Sequence, residues 1–264
     1  VLVGEYCYKM PPTGTNQYCY RTSPPHMFSN LPENVIDEIL ICLPFKEAVR
    51  TSVLSKQWKY NWCRLPELTL DGTIWTNTGF VRADNFDIAK FFESFISVEL
   101  LHLDSDSIKF FARAGEVVPK RLPFDLNCVK RLYLSEISLN GFKVVACALC
   151  LIRSFPCLQY LKIQVDEDDA DDNIWGTLKC LKVEAFSDMT LNHLKAVKLI
   201  NISGTRPEMQ LMKLLLAKSP ALVKMVIDPH YALNGRIYVK VKAEISKFQR
   251  ASSKAEVVYD VDYY

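Results

Sequence analysis

Glycine is scarce in this chain, with nine in 264 residues. No two have the GxGxxG or GxxxxGK spacing, so neither a dinucleotide cradle nor a P-loop has a candidate. There is no HExxH, no GxSxG elbow and no paired metal-type cysteine set. An excess of one charge is also missing: 32 Lys plus Arg stand against 30 Asp plus Glu, a net charge of +2. That balance does not call for a polyanionic partner, and nucleic-acid binding is not expected. The longest apolar run, Val144 to Ile152, is far too short to span a membrane. Residues Val1 to Pro25 contain no apolar run of signal-peptide length. An intracellular protein of the cytoplasm or nucleus is expected, with no membrane partner.

What is present fits a packed chain. Hydrophobic residues make up 49% and charged residues 23%, enough to bury a sizeable core. The nine cysteines are odd in number and scattered through apolar stretches, which suggests free thiols rather than a disulfide framework. Cys147-Ala-Leu-Cys150 is a CxxC, read as buried core thiols with a metal or redox pair as the alternative. His26, His102, His193 and His230 are read as surface residues. Asp166 to Asp172 places six carboxylates in seven positions. It is read as a solvated loop, with contact to a basic substrate surface as the alternative.

Residues 1–27, with Pro11, Pro12, Pro24 and Pro25, form a leader without element signals. The pattern turns helical from Phe28. Pro32 and Glu33 open a helix, with Asn30 a candidate cap. Val35, Ile36, Ile39, Leu40 and Leu43 make one broad apolar face. Pro44 ends this helix, and Phe45, Ala48, Val49 and Val53 mark a second. Ser55 can cap a third, carrying Trp58 and Trp62. The two tryptophans with Lys56, Lys59 and Arg64 could stack on bases, but an apolar helix face accounts for them better. So much apolar surface on so small a unit suggests a partner as well as a core.

Beyond residue 70 an apolar-x-x-apolar-x-apolar template recurs. Its copies are Val98/Leu101/Leu103, Val129/Leu132/Leu134, Leu158/Leu161/Ile163, Leu178/Leu181/Val183, Leu194/Val197/Leu199 and Leu222/Met225/Ile227. Their central residues lie 31, 29, 20, 16 and 28 apart. This fits degenerate leucine-rich repeats, each a short strand stacked in parallel on its neighbours. An ordinary α/β sheet without a true repeat is the alternative. Between copies, Asp84 or Asn85 can cap a helix with Ile88, Phe91, Phe92, Phe95 and Ile96. Asn140 can cap another through Val144 and Ile152. Thr205-Arg-Pro-Glu208 is a capping box. At the end, Arg236 to Val241 reads as a strand, Ala243 to Arg250 as a helix and Glu256 to Val261 as a strand. This unit is expected to close the solenoid.

The stretch from Phe28 to Trp58 resembles an F-box. Its carriers are the Leu31-Pro32 entry, the pairs Ile39-Leu40 and Leu43-Pro44, and Val53-Leu-Ser-Lys-Gln-Trp58. The segment from Glu208 to about Asp260 resembles the FBD module of plant proteins, through Leu214 to Pro220 and Glu244 to Arg250. The chain is thus similar to plant F-box/FBD/LRR-repeat proteins. The resemblance implies an α/β protein: a three-helix F-box (28–70), a short leucine-rich-repeat solenoid with parallel strands (71–204) and an FBD module (205–264). It implies a non-catalytic substrate receptor of SCF, a cullin-RING ubiquitin ligase, with no cofactor or metal. The F-box would dock on a Skp-family adaptor, and through it a cullin. The repeats would recruit an unidentified protein for ubiquitination. On the family pattern the adaptor-binding residues are Leu31, Pro32, Val35, Ile36, Ile39, Leu40, Leu43, Pro44, Val53, Leu54 and Trp58. The poorly patterned stretch Thr73–Asp87 suggests that repeats are fewer than usual. A repeat protein acting outside a ligase, or an F-box variant that binds the adaptor without delivering substrate, is the alternative.

Overall fold

In the computed structural model the described residues are 31–260, apart from 44, 55–57, 59–60, 77–85, 96, 115–116, 167–173 and 232–234. The expected leader and the Asn30 cap lie outside them. Helix α1 (Glu33–Ile41) and helix α2 (Phe45–Arg50) come first. Short 3-10 turns follow at Thr51–Val53 and Asn61–Arg64. Of the expected third helix, Ser55 lies outside the described residues, Trp58 sits in a turn and Trp62 in the second 3-10 turn.

The rest is a mixed α/β unit on a seven-stranded parallel sheet, β1 to β7 in chain order. The strands are β1 (Glu67–Leu70), β2 (Leu100–Leu103), β3 (Arg131–Ile137), β4 (Tyr160–Val165), β5 (Ala196–Ile202), β6 (Lys224–Pro229) and β7 (Glu256–Tyr259). Parallel strands need a crossover between them. Helices α3 (Gly72–Thr76) and α4 (Ile88–Glu93) lie between β1 and β2, and α5 (Ser105–Arg113) between β2 and β3. Then α6 (Phe142–Ser154), α7 (Ile174–Cys180), α8 (Arg206–Lys218) and α9 (Gly235–Ile245) fill the later crossovers in turn.

Side chains alternate across a strand, and the register stacks the buried ones in two rows. Leu68, Leu101, Leu132, Leu161, Val197 and Met225 form one, and Leu70, Leu103, Leu134, Ile163, Leu199 and Ile227 the other. Both rows face the helices and belong to one core. Burial of these aliphatic side chains contributes about 1.5–3 kcal/mol each. At the β1 end, Trp75 stacks on Phe110 at 4.2 Å, within a cluster that includes Phe86, Phe91 and Phe111.

Five of the six template copies are strands. The exception is Leu178/Leu181/Val183. Leu178 lies in α7, Leu181 in a buried turn and Val183 opens a 3-10 turn. The i, i+3 spacing of Leu178 and Leu181 serves a helix equally well. β4 pairs directly with β5, Leu161 opposite Val197, so no strand intervenes. The expected strand at Arg236–Val241 is also wrong. It is part of α9, where Val241 and Ile245 are buried at i, i+4 while Val239 is 64% exposed. The expected helix at 243–250 therefore ends at Ile245. The strand at the C-terminal end is present as β7.

Two helix caps move. Asp87, rather than Asp84 or Asn85, caps α4, accepting from the amides of Ala89 and Lys90 at 3.0 and 3.2 Å. Gly141, not Asn140, holds the cap position of α6. The Thr205–Glu208 capping box forms as expected. The buried Glu208 Oε2 accepts from the amides of Ser203, Gly204 and Thr205 at 3.1, 2.6 and 2.8 Å. Register shifts fall within β3 and β5, at Glu136 (φ 57°) and Asn201 (φ 68°). Asn tolerates the left-handed region, and Asn201 Nδ2 donates to the Val165 carbonyl at 2.9 Å, tying β5 to β4.

Candidate functional site

Helix α1 turns about 100° per residue, and its residues fall into three stripes. Ile36 and Leu40 point inward and are wholly buried. Glu33 and Asp37 lie on one flank, where Arg64 bridges them at 3.1 Å to each. These exposed ion pairs add little stability, but they fix the rotation of α1 against the Asn61–Arg64 turn. The opposite flank is apolar and carries Val35, half-buried, and Ile39, 36% exposed.

Burial thus divides the adaptor-binding set expected from sequence. Ile36, Leu40 and Trp58 are core residues in this conformation. Leu31 and Leu43 are half-buried and pack against the core. Pro32 is exposed, and its carbonyl accepts from the amides of Val35 and Ile36 at 3.0 and 3.1 Å. Leu54 is 45% exposed. Pro44 lies outside the described residues, as does the side chain of Val53. Ile41, outside that set, is 62% exposed at the end of α1.

Trp62 joins this unit to the sheet. It is buried and meets Phe95 edge-on with centroids 6.3 Å apart. That contact explains a tryptophan beside basic residues without invoking bases to stack on.

The second surface is the face of the sheet turned away from the helices. One row across it reads Thr69, His102, Tyr133, Lys162, Lys198, Val226 and Val258. The parallel row reads Glu67, Leu100, Arg131, Tyr160, Ala196, Lys224 and Glu256. Tyr133 meets His102 at 6.2 Å and Tyr160 at 5.7 Å, both edge-on. His102 Nε2 lies 2.9 Å from Ser135 Oγ. Partial burial lowers the His102 pKa below its ordinary value and raises that of Tyr160. His102, read as a plain surface residue, is therefore half-buried and partnered.

The cysteine pair is placed in the core. Cys147 and Cys150 are buried in α6, and burial pushes both thiols up, Cys150 to about 11. Thiols so shifted are poor nucleophiles and poor metal ligands at neutral pH. The seven described cysteines are all free. Among the described residues no group of His, Cys, Asp and Glu can hold a metal ion, and no helix is long and apolar enough to cross a membrane. Asp166 is described, but residues 167–173 of the acidic stretch are not.

Comparison with known proteins bears on both ends of the chain. Residues 28–69 match the F-box domain family and residues 190–227 the FBD family. A putative FBD-associated F-box protein of Arabidopsis thaliana is 31% identical over 148 residues, covering 52% of this chain and 36% of the relative. An F-box/LRR-repeat protein of the same plant is 33% identical over 116 residues, 43% of this chain and 29% of the relative. An F-box/FBD/LRR-repeat protein, also of Arabidopsis, is 45% identical over 47 residues, 18% of this chain and 11% of the relative. The chain spans about a third or less of the length of these curated relatives. The chain thus carries an F-box match at residues 28–69 and an FBD match at 190–227, and is similar to plant proteins named for the F-box, the FBD and leucine-rich repeats.

Proposed function

We propose that this protein is a substrate-receptor subunit of an SCF ubiquitin ligase. The F-box docks on a Skp-family adaptor, which connects it to a cullin, and the repeats hold a protein substrate. The parallel strands, stacked in chain order with helices on one side, act as a short leucine-rich-repeat solenoid. Its last repeats and C-terminal strand form the FBD end. The protein acts without catalysis, by keeping substrate lysines near an activated ubiquitin, in the cytoplasm or nucleus.

One observation carries the reading. In the F-box, Arg64 occupies the polar flank of α1 and the core takes Ile36 and Leu40, while the apolar flank carries the half-buried Val35 and the 36% exposed Ile39, which no described residue covers fully. Leu54 adds a second exposed apolar side chain from the turn after α2. An apolar helix flank suits packing against partner helices and requires no reactive group.

The test is co-expression with a Skp-type adaptor, followed by size-exclusion chromatography and mass measurement. A stable equimolar complex is expected. Ile39→Asp should weaken it at least about tenfold while changing stability by no more than about 1 kcal/mol. Ile36→Ala should do the reverse, costing about 2–4 kcal/mol of stability through a core cavity and acting on the adaptor only through that loss. Unchanged adaptor binding in a folded Ile39→Asp protein would sink the assigned flank. The second reading is an adaptor-binding chain that delivers no substrate. A reconstituted ligase in which a pulled-down partner binds but receives no ubiquitin would establish it.

A further inference from the structure

We propose that the helix-free face of the sheet recognises an acidic segment of a protein partner, with Lys162 pairing a carboxylate beside the Tyr133 ring. The proposal rests on the receptor reading and names the class of substrate segment that the sheet would hold.

The argument starts from the placement of lysines. Lys162 and Lys198 stand directly opposite each other on β4 and β5. Neighbouring strands are about 4.8 Å apart, and like charges in direct register are unfavourable. Lys198 has an outlet, since its ammonium pairs with Asp260 at 3.3 Å. Two other cations, Arg131 and Lys130, are similarly engaged, whereas Lys224, toward the β7 edge, has no ion pair among the described residues. Arg131 reaches across β2 to Glu67 at 2.7 Å, and Lys130 pairs with Glu99 at 2.5 Å. Lys224 faces Glu256 in register. Lys162 has no carboxylate within ion-pair distance among the described residues. Its ammonium stands instead 5.7 Å from the centre of the Tyr133 ring.

Lys162 is also central, on the fourth of seven strands. Tyr160 lies two residues before it on the same strand, and so on the same face. Tyr133 is its register neighbour on β3. His102 and Ser135 follow on the β2 side, hydrogen-bonded to each other. The acidic groups acting on His102, Asp71 and Asp104, lie past the ends of β1 and β2. Asp104 is committed to the amides of Gly72 and Ser107 at 2.7 and 2.8 Å. Among the described residues, the middle of the face therefore offers one cation without an ion pair, a contacting pair of tyrosine rings and a hydroxyl–imidazole pair. A carboxylate side chain satisfies the cation through a charge-assisted bond.

The test uses the purified full chain and short, end-blocked peptides of polyglutamate, polyglutamine and phosphoserine-substituted polyglutamine, titrated by calorimetry. Polyglutamate is expected to bind and polyglutamine not. Binding should weaken between low and physiological salt. Lys162→Met should weaken it at least about tenfold, and Lys162→Arg should largely keep it. Far-ultraviolet circular dichroism and melting temperature confirm that each variant is folded. Equal binding of glutamate and glutamine peptides, no binding of either, or an unchanged affinity in Lys162→Met overturns the proposal. Tighter binding of the phosphoserine peptide overturns the carboxylate assignment. Adaptor binding is measured on the same samples. Its absence alongside Lys162-dependent glutamate binding would sink the receptor reading and leave the acidic-segment site standing.

Discussion

His102 shows how far one residue's role depends on what packs against it. In sequence it alternates with Leu101 and Leu103, which marks it as facing away from the core, and nothing more. In the fold it is half-buried, touches Ser135 and meets Tyr133. Burial is the largest influence and lowers its pKa below the ordinary 6.5. Asp104 and Asp71 pull upward, and Lys162 pushes further down. The folded protein therefore favours the neutral imidazole, and the unfolded chain binds a proton first on acidification. Stability from this group is complete above pH 6.5 and falls as pH drops from there toward the lowered folded value. Denaturant titrations of the wild type and His102→Gln across that window should show the wild type losing stability relative to the variant. A constant difference, or a reversed one, would mean that burial does not dominate at this site.

At the scale of elements, the sequence was legible where one pattern had one solution. The α1 face, the Thr205–Glu208 box and five template copies all satisfied local and global demands together, and all form. Errors arose where a short pattern fitted two periods. Ile237, Val239 and Val241 alternate as in a strand, yet Ile237, Val241 and Ile245 also repeat as in a helix. The sheet decides between them, because β6 and β7 pair in parallel and the chain between them must cross over. The docking of α9 then makes a demand that no periodicity reveals. Gly204 has φ 82°, and a Cβ there would lie 2.4 Å from Val241 Cγ2. Glycine is required twice over, by backbone conformation and by the approach of α9. Gly204→Ala should cost about 1–3 kcal/mol. Adding Val241→Ala should return about 0.5–1 kcal/mol relative to the sum of the single changes. A double-mutant cycle by chemical denaturation measures that coupling. Strict additivity would show that the left-handed backbone alone sets the cost.

At the scale of the whole molecule, the irregular repeat spacing comes from one misassigned copy, Leu178/Leu181/Val183, rather than from the protein. Leu65/Leu68/Leu70 fits the same template but lay against the F-box boundary, and it forms β1. With β1 and β7 included and the α7 copy removed, the register residues are Leu68, Leu101, Leu132, Leu161, Val197, Met225 and Val257. Their spacings are 33, 31, 29, 36, 28 and 32 residues, each enough for one strand and one crossover. The sheet also runs unbroken from β1 to β2 across the poorly patterned stretch. The division of α1 between core and open flank was not legible, because it depends on Arg64, 27 residues beyond Asp37. In such a stack each strand gains stability from its neighbours on both sides. β4 has two neighbours, and its inward residues Leu161, Ile163 and Val165 are all buried. β7 pairs only with β6, and Val257, Val258 and Tyr259 are half-buried. β1 has one strand partner but is contacted by α2 as well. Opening should therefore be easiest at the β7 end. Native-state hydrogen exchange should find the β7 amides least protected, those of β1 intermediate and those of β3 to β5 closest to the global unfolding limit. If β7 exchanges as slowly as β4, the seven strands open as one cooperative unit, and the nearest-neighbour account of the stack fails.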